Sequence, residues 1–113
     1  MSNLIKKNCL PCSGNTPKLS IDEIQEKLLE INEWELNDNK EMIFKKFKFK
    51  SFKKALHFTN LVGMLAEEER HHPDISLGWG YCLIMIHTHA IKGLSINDFI
   101  LAAKINQIIQ QNQ

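Results

Sequence analysis

Pro73 places the tightest constraint on how this chain can fold. The residues ahead of it carry a helical period: Phe52, Ala55, Phe58, Val62 and Leu65 recur at three- and four-residue steps and form one apolar stripe behind a capping Ser51. A residue that precedes proline is pushed out of the helical region, so this helix has to stop before position 73. Beyond it the period changes to two. A short strand is expected over 74–77, Gly78-Trp79-Gly80 supplies a turn, and a longer strand follows over 81–88. Cys82, Ile84 and Ile86 form the core face of that strand, and Leu83, Met85 and His87 form the other. The second face is too apolar for a fully solvated one and is a candidate contact surface.

The flanking segments fit the same architecture. Ser20 with Glu23 reads as a capping box, with Leu19 and Ile24 as its hydrophobic staple, and Ile21, Ile24, Leu28 and Ile31 mark the buried face of a first helix ending near Ile31. Trp34 and Leu36 alternate as a short strand, Asn37-Asp38-Asn39-Lys40 makes a turn, and 42–50 is the returning strand. On it Ile43, Phe47 and Phe49 face one way, while Lys46, Lys48 and Lys50 form a solvated face. Ser95 and Asp98 repeat the capping pattern, with Leu94 and Phe99 as staple, and open a third helix with Phe99, Ala102, Ile105 and Ile109 among its apolar positions. The expected fold is α+β, in the order α-β-β-α-β-β-α: a four-stranded antiparallel sheet with three helices on one face. Residues 1–18, rich in Asn, Ser, Gly, Pro and Lys, are expected to be a flexible arm, and 19–113 a single domain.

The net charge of the 113 residues is +1, which gives no electrostatic argument for nucleic acid or membrane. No apolar run approaches a membrane span. Positions 1–10 lack a signal-peptide apolar region, and three cysteines without an export signal suit a reducing, cytoplasmic setting. Cys9-Leu10-Pro11-Cys12 is a lone Cys-x-x-Cys, and a metal needs about four ligands; with Cys82 in an apolar strand, no second pair exists, so idle thiols are expected.

The chemistry concentrates where helix turns into strand. Glu67-Glu68-Glu69-Arg70-His71-His72-Pro73 sets three acids at a helix C-terminus, where negative charge is unfavourable, so neighbouring groups have to offset it and the histidines are at hand. Glu67 and His71, four apart, share a face if the last helical turn reaches that far. Three readings of His71-His72-Pro73 stay open on spacing alone: a helix terminus capped by imidazole, a metal site with His89 and a carboxylate, and acid–base catalysis by groups that titrate near neutrality. The two-residue spacing of His87-Thr88-His89 keeps the metal reading alive. Asp98 is explained by capping and is equally able to orient a histidine. His57 lies off its helix's apolar stripe and reads as a surface residue.

The set Glu67-x-x-x-His71-His72-Pro73, Trp79, Thr88-His89, Gly93-Leu94 and Asn97-Asp98 resembles the pterin-4a-carbinolamine dehydratase family. Trp34, the run Phe49-Lys50-Ser51-Phe52-x-x-Ala55-x-x-Phe58 and Ala102-Ala103 fit its pattern too, so the resemblance spans most of the chain. It implies a hydro-lyase that converts 4a-hydroxytetrahydropterin to quinonoid dihydropterin and water, recycling the cofactor of aromatic amino-acid hydroxylases. It implies no metal and no bound cofactor, a homodimer or homotetramer, and a functional link to such a hydroxylase. It also implies that His71, His72 and His89 line the pterin site. His71 and His89 are then assigned to acid–base work, His72, Pro73 and Trp79 to holding substrate, and Glu67 and Asp98 to orienting the imidazoles. A non-catalytic interaction module, of the kind in which some animal members bind a transcription factor's dimerisation segment, is the main alternative. A Cys/His metal-binding protein is the other.

Overall fold

The computed structural model describes residues 3–11 and 14–111. Its elements run α1 (Ile21–Leu28), β1 (Glu35–Leu36), β2 (Ile43–Lys48), α2 (Phe52–Glu69), β3 (Asp74–Gly78), β4 (Tyr81–Ile86) and α3 (Ile96–Gln111). The four strands form one antiparallel sheet in the order β1-β2-β4-β3, and the three helices cover one face of it, the α+β arrangement expected above. Register follows the alternation. Ile43 pairs with Ile86 and Phe47 with Cys82 across β2 and β4, and Ile75 pairs with Ile84 across β3 and β4, so one row of apolar side chains faces the helices. Ile43, Cys82, Ile84 and Ile86 are fully buried there with Phe58, Val62, Phe99 and Ile105.

The helix starts are built as their sequences require. Ser20 Oγ accepts from Glu23 N–H while Glu23 Oε1 accepts from Ser20 N–H, a complete capping box. Ser51 Oγ caps α2 through Lys54 N–H. At α3 only half of the box forms: Asp98 Oδ2 accepts from Ser95 N–H, but the Ser95 hydroxyl is paired at 2.8 Å with Thr88 Oγ1 at the end of β4. That exchange ties the helix start to the sheet.

Lys45 departs from the alternation. It sits on the core face of β2, opposite Ile84, where a lysine has to find polar company. Its Nζ reaches Asn32 O and Asn106 Oδ1 and lies 4.7 Å from the centroid of the Phe47 ring, a cation–π contact.

The arm expected to be flexible is packed over its described part. Leu4, in a short 3-10 turn, is 1% exposed and lies against α3. Asn97 clasps Leu10 in both directions, its Oδ1 accepting from Leu10 N–H at 2.9 Å and its Nδ2 donating to Leu10 O at 2.8 Å. Cys9 N–H donates to Glu69 Oε1, and Lys104 Nζ bridges Asn8 and Glu69. The composition of the arm hid this because the partners lie some sixty to ninety residues away in sequence. Cys12 falls outside the described residues.

Docking has a chemical consequence. Burial, reinforced by the neighbouring Glu69 charge, pushes the Cys9 thiol up from 9.0 to about 12. The thiolate is the reactive form, so alkylation of Cys9 at pH 8 is expected to be at least ~100-fold slower in the folded chain than in urea. Mass spectrometry of a Cys12→Ser, Cys82→Ser variant measures this, and equal rates would show an undocked arm.

Candidate active site

The site begins with a helix that ends abruptly. After Glu69, Arg70 takes the left-handed conformation at φ 55°, and Ala66 O accepts from both Arg70 N–H and His71 N–H. A non-glycine residue there costs about 1–2 kcal/mol, and the turn it makes drives His71 inward. His71 is 6% exposed, while the next residue, His72, is left in solvent.

His71 meets Asp98. The two are joined by a 2.6 Å bond from His71 Nε2 to Oδ1 of a fully buried carboxyl group. The other oxygen, Oδ2, accepts from Thr88 Oγ1 and from Ser95 N–H, each at 2.8 Å. With both carboxyl oxygens acting as acceptors, Asp98 accepts the hydrogen bond of His71 Nε2–H, which fixes the orientation and tautomer of the His71 ring. Thr88 belongs to this arrangement, a role not assigned to it from sequence. Its position at the last alternating residue of the strand, in phase with Ile84 and Ile86, was the available signal.

His72 Nε2 pairs with Glu67 Oε2, both side chains largely exposed. The expected sharing of a helical face by Glu67 and His71 is therefore replaced: the left-handed Arg70 brings the next histidine to Glu67, and Asp98 receives His71. Two of the three acids are answered separately. Only Glu67 meets a histidine; Glu69 is held by Lys104 Nζ at 2.6 Å and by Cys9 N–H. Burial alone would raise the Glu69 carboxyl, but the Lys104 bond and the Cys9 N–H hold it below its ordinary value.

His89 leaves β4 in a short 3-10 turn, His89–Ile91, closed by the bridge between Thr88 and Gly93. It is exposed, and its ring lies 4.0 Å from that of His87, centroid to centroid. The start of β3 and the end of β4 are adjacent in register, Asp74 facing Met85. His71, His72, Pro73 and His89 are thus gathered at one end of the β3–β4 hairpin. Trp79 is not among them. It occupies the two-residue turn at the hairpin's other end, 71% exposed, beyond a strand that spans about 13 Å from Asp74 to Gly78 at the usual rise per residue. A cleft of about 1240 Å³ between β2 and α2, with Phe47, Phe49 and Phe58 in its lining, has His57 as the one histidine among its lining residues. Volume alone does not mark the reacting groups; proton transfer does not depend on a lysine-rimmed apolar trough.

Comparison with known proteins decides the family. Residues 17–108 match the family model described as Pterin 4 alpha carbinolamine dehydratase. The chain belongs to the pterin-4a-carbinolamine dehydratase family. It is 49% identical to a candidate pterin-4-alpha-carbinolamine dehydratase of Alkaliphilus metalliredigens, over 95% of this chain and 96% of that protein. A relative given the same description in Rickettsia canadensis is 47% identical over 96% of this chain and all of its own length. Among solved structures, a transcriptional coactivator/pterin dehydratase from Brucella melitensis superposes with a TM-score of 0.78 at 30% identity, covering 81% of this chain and 98% of the other.

The histidine cluster holds one imidazole fixed in the interior by a carboxylate and two others at the surface. Among the described residues no helix is long and apolar enough to cross a membrane.

Proposed function

We propose that the histidine cluster at this end of the hairpin is where 4a-hydroxytetrahydropterin loses water. The protein is a hydro-lyase of the pterin-recycling type, taking the carbinolamine to quinonoid dihydropterin. The observation that supports this placement is the buried His71–Asp98 pair, which precedes the exposed His72 in the chain and is bonded through Asp98 to Thr88, the residue before the exposed His89. The C4a hydroxyl is a poor leaving group until it is protonated. The N5 lone pair then expels it as water, and N5–H gives up its proton to a base. His71 and His89 serve as acid and base, His72 with Pro73 holds the pterin, Asp98 orients His71, and Glu67 orients His72. Trp79 is too far along the hairpin for its own chain's site and would meet a pterin only across a contact with another copy. General acid–base catalysis contributes roughly 10²–10⁴-fold.

Steady-state kinetics on freshly made 4a-hydroxytetrahydropterin tests these roles. His71→Ala and His89→Ala are each expected to lower kcat by about 10- to 10³-fold with the fold intact by circular dichroism. His72→Ala is expected to act mainly on KM, and His57→Ala to leave both constants unchanged. Wild-type turnover in both His71→Ala and His89→Ala would return those imidazoles to a structural role.

A second surface supports self-association. On the sheet face away from the helices, Phe44, Leu83 and Met85 are half-buried next to Tyr81, with Phe44 facing Met85 across β2 and β4. A homodimer or homotetramer is proposed on this ground, acting in the cytoplasm alongside an aromatic amino-acid hydroxylase that produces the carbinolamine. Light scattering at micromolar concentration is expected to give at least twice the 13.1 kDa chain mass; a monomer mass would exclude it.

A further inference from the structure

We propose that Asp74, His87 and His89 form a site for one divalent transition-metal ion of the zinc class, and that its occupation withdraws His89 from proton transfer. The second half rests on the dehydratase reading above; the first does not.

The site is assembled by register. Asp74 opens β3 opposite Met85, and His87 lies two residues beyond Met85 on the same face of the sheet, the diagonal position that long side chains reach. His89, two further on, turns its ring to that of His87 at 4.0 Å and 56°. One ligand atom from each of the three lies within 4.8 Å of the others, and His87 Nε2 stands 3.5 Å from Asp74 Oδ2. A tetrahedral zinc with bonds of 2.0–2.2 Å spaces its ligands about 3.3–3.5 Å apart, so closing the site takes a contraction of about 1.5 Å at most. Asp74 and His89 are exposed and free to make it by side-chain rotation.

The donor set names the ion. Two imidazoles and one carboxylate suit zinc, nickel or copper rather than magnesium or calcium, which prefer all-oxygen shells. Three protein ligands also leave a position open for water. Asp74 and His87 have no part in the dehydration, and a 3.5 Å ion pair between them does not explain why a second imidazole is turned toward it. His89 belongs to both arrangements. Its nitrogen lone pair cannot bind a metal and accept a proton together, so the bound ion inhibits an enzyme that works without one.

The test starts from full-length protein freed of metal by a chelator and desalted. Zinc chloride is titrated calorimetrically into wild type, His87→Ala and Asp74→Asn, with Co²⁺ absorption as a second readout. Wild type is expected to bind one ion per chain more than His87→Ala, whatever the thiols take up, with Asp74→Asn weakening that ion at least ~10-fold. In the dehydration assay zinc is expected to inhibit wild type over the concentrations at which it binds and to spare His87→Ala. Superimposable titrations of wild type and His87→Ala, or no binding up to about 1 mM, overturn the site. Binding at the site without inhibition keeps the site and overturns the second half, together with the proton-transfer role of His89.

Discussion

Asp98 is the group on which the rest of the structure depends. It is fully buried, and it is reached by three segments distant in sequence: His71 beyond α2, Thr88 at the end of β4, and Ser95 at the start of α3. A buried carboxylate is tolerated only when its oxygens are satisfied. Each of the three partners is therefore pinned by the same requirement. Among the described residues no buried side-chain polar atom lacks a partner.

The same economy explains the ends of α2 and α3. The left-handed Arg70 sends His71 into the core and leaves His72 outside, so two adjacent histidines acquire opposite environments from one backbone rotation. Glu69 faces the other way, towards Lys104 and the N-terminal arm, while Asn97, next to Asp98, holds Leu10. The arm thus closes over the side of the helix pair that lies behind the site. The dehydration proposed for this cluster asks for two proton carriers, and the arrangement holds one imidazole buried and fixed by a carboxylate and leaves His72 and His89 exposed.

Much of this was legible in the sequence. The change of period across Pro73 and the apolar alternation of Cys82, Ile84 and Ile86 suffice for the element order and the sheet face, because burial acts on every second residue of a strand and its trace survives in composition. The capping box at Ser20 was legible because it is local. Long-range polar pairing was not. No spacing rule links Asn97 to Leu10 or Lys104 to Glu69, and the docked arm was read as loose for that reason. Lys45 on the core face defeats alternation because a long stem can carry its ammonium to Asn32 and Asn106. Of the residues singled out in sequence, His71, His72, Pro73 and His89 lie at one end of the β3–β4 hairpin and Trp79 at the other, and the pairing was not legible: Glu67 to His72 rather than His71 follows from a left-handed residue that the sequence Glu-Arg-His-His does not announce.

The central claim is that one buried carboxyl group both starts α3 and holds the reacting imidazole. Asp98→Asn tests it most directly, since the amide keeps the shape but turns one acceptor into a donor. Turnover of the carbinolamine and urea denaturation are measured on the same preparation. The account predicts a loss of stability of about 3–5 kcal/mol together with a fall in kcat of at least ~10-fold in the fraction that remains folded. A loss of stability with wild-type turnover would contradict it, leaving Asp98 a helix cap and His71 a ring that happens to lie beside it.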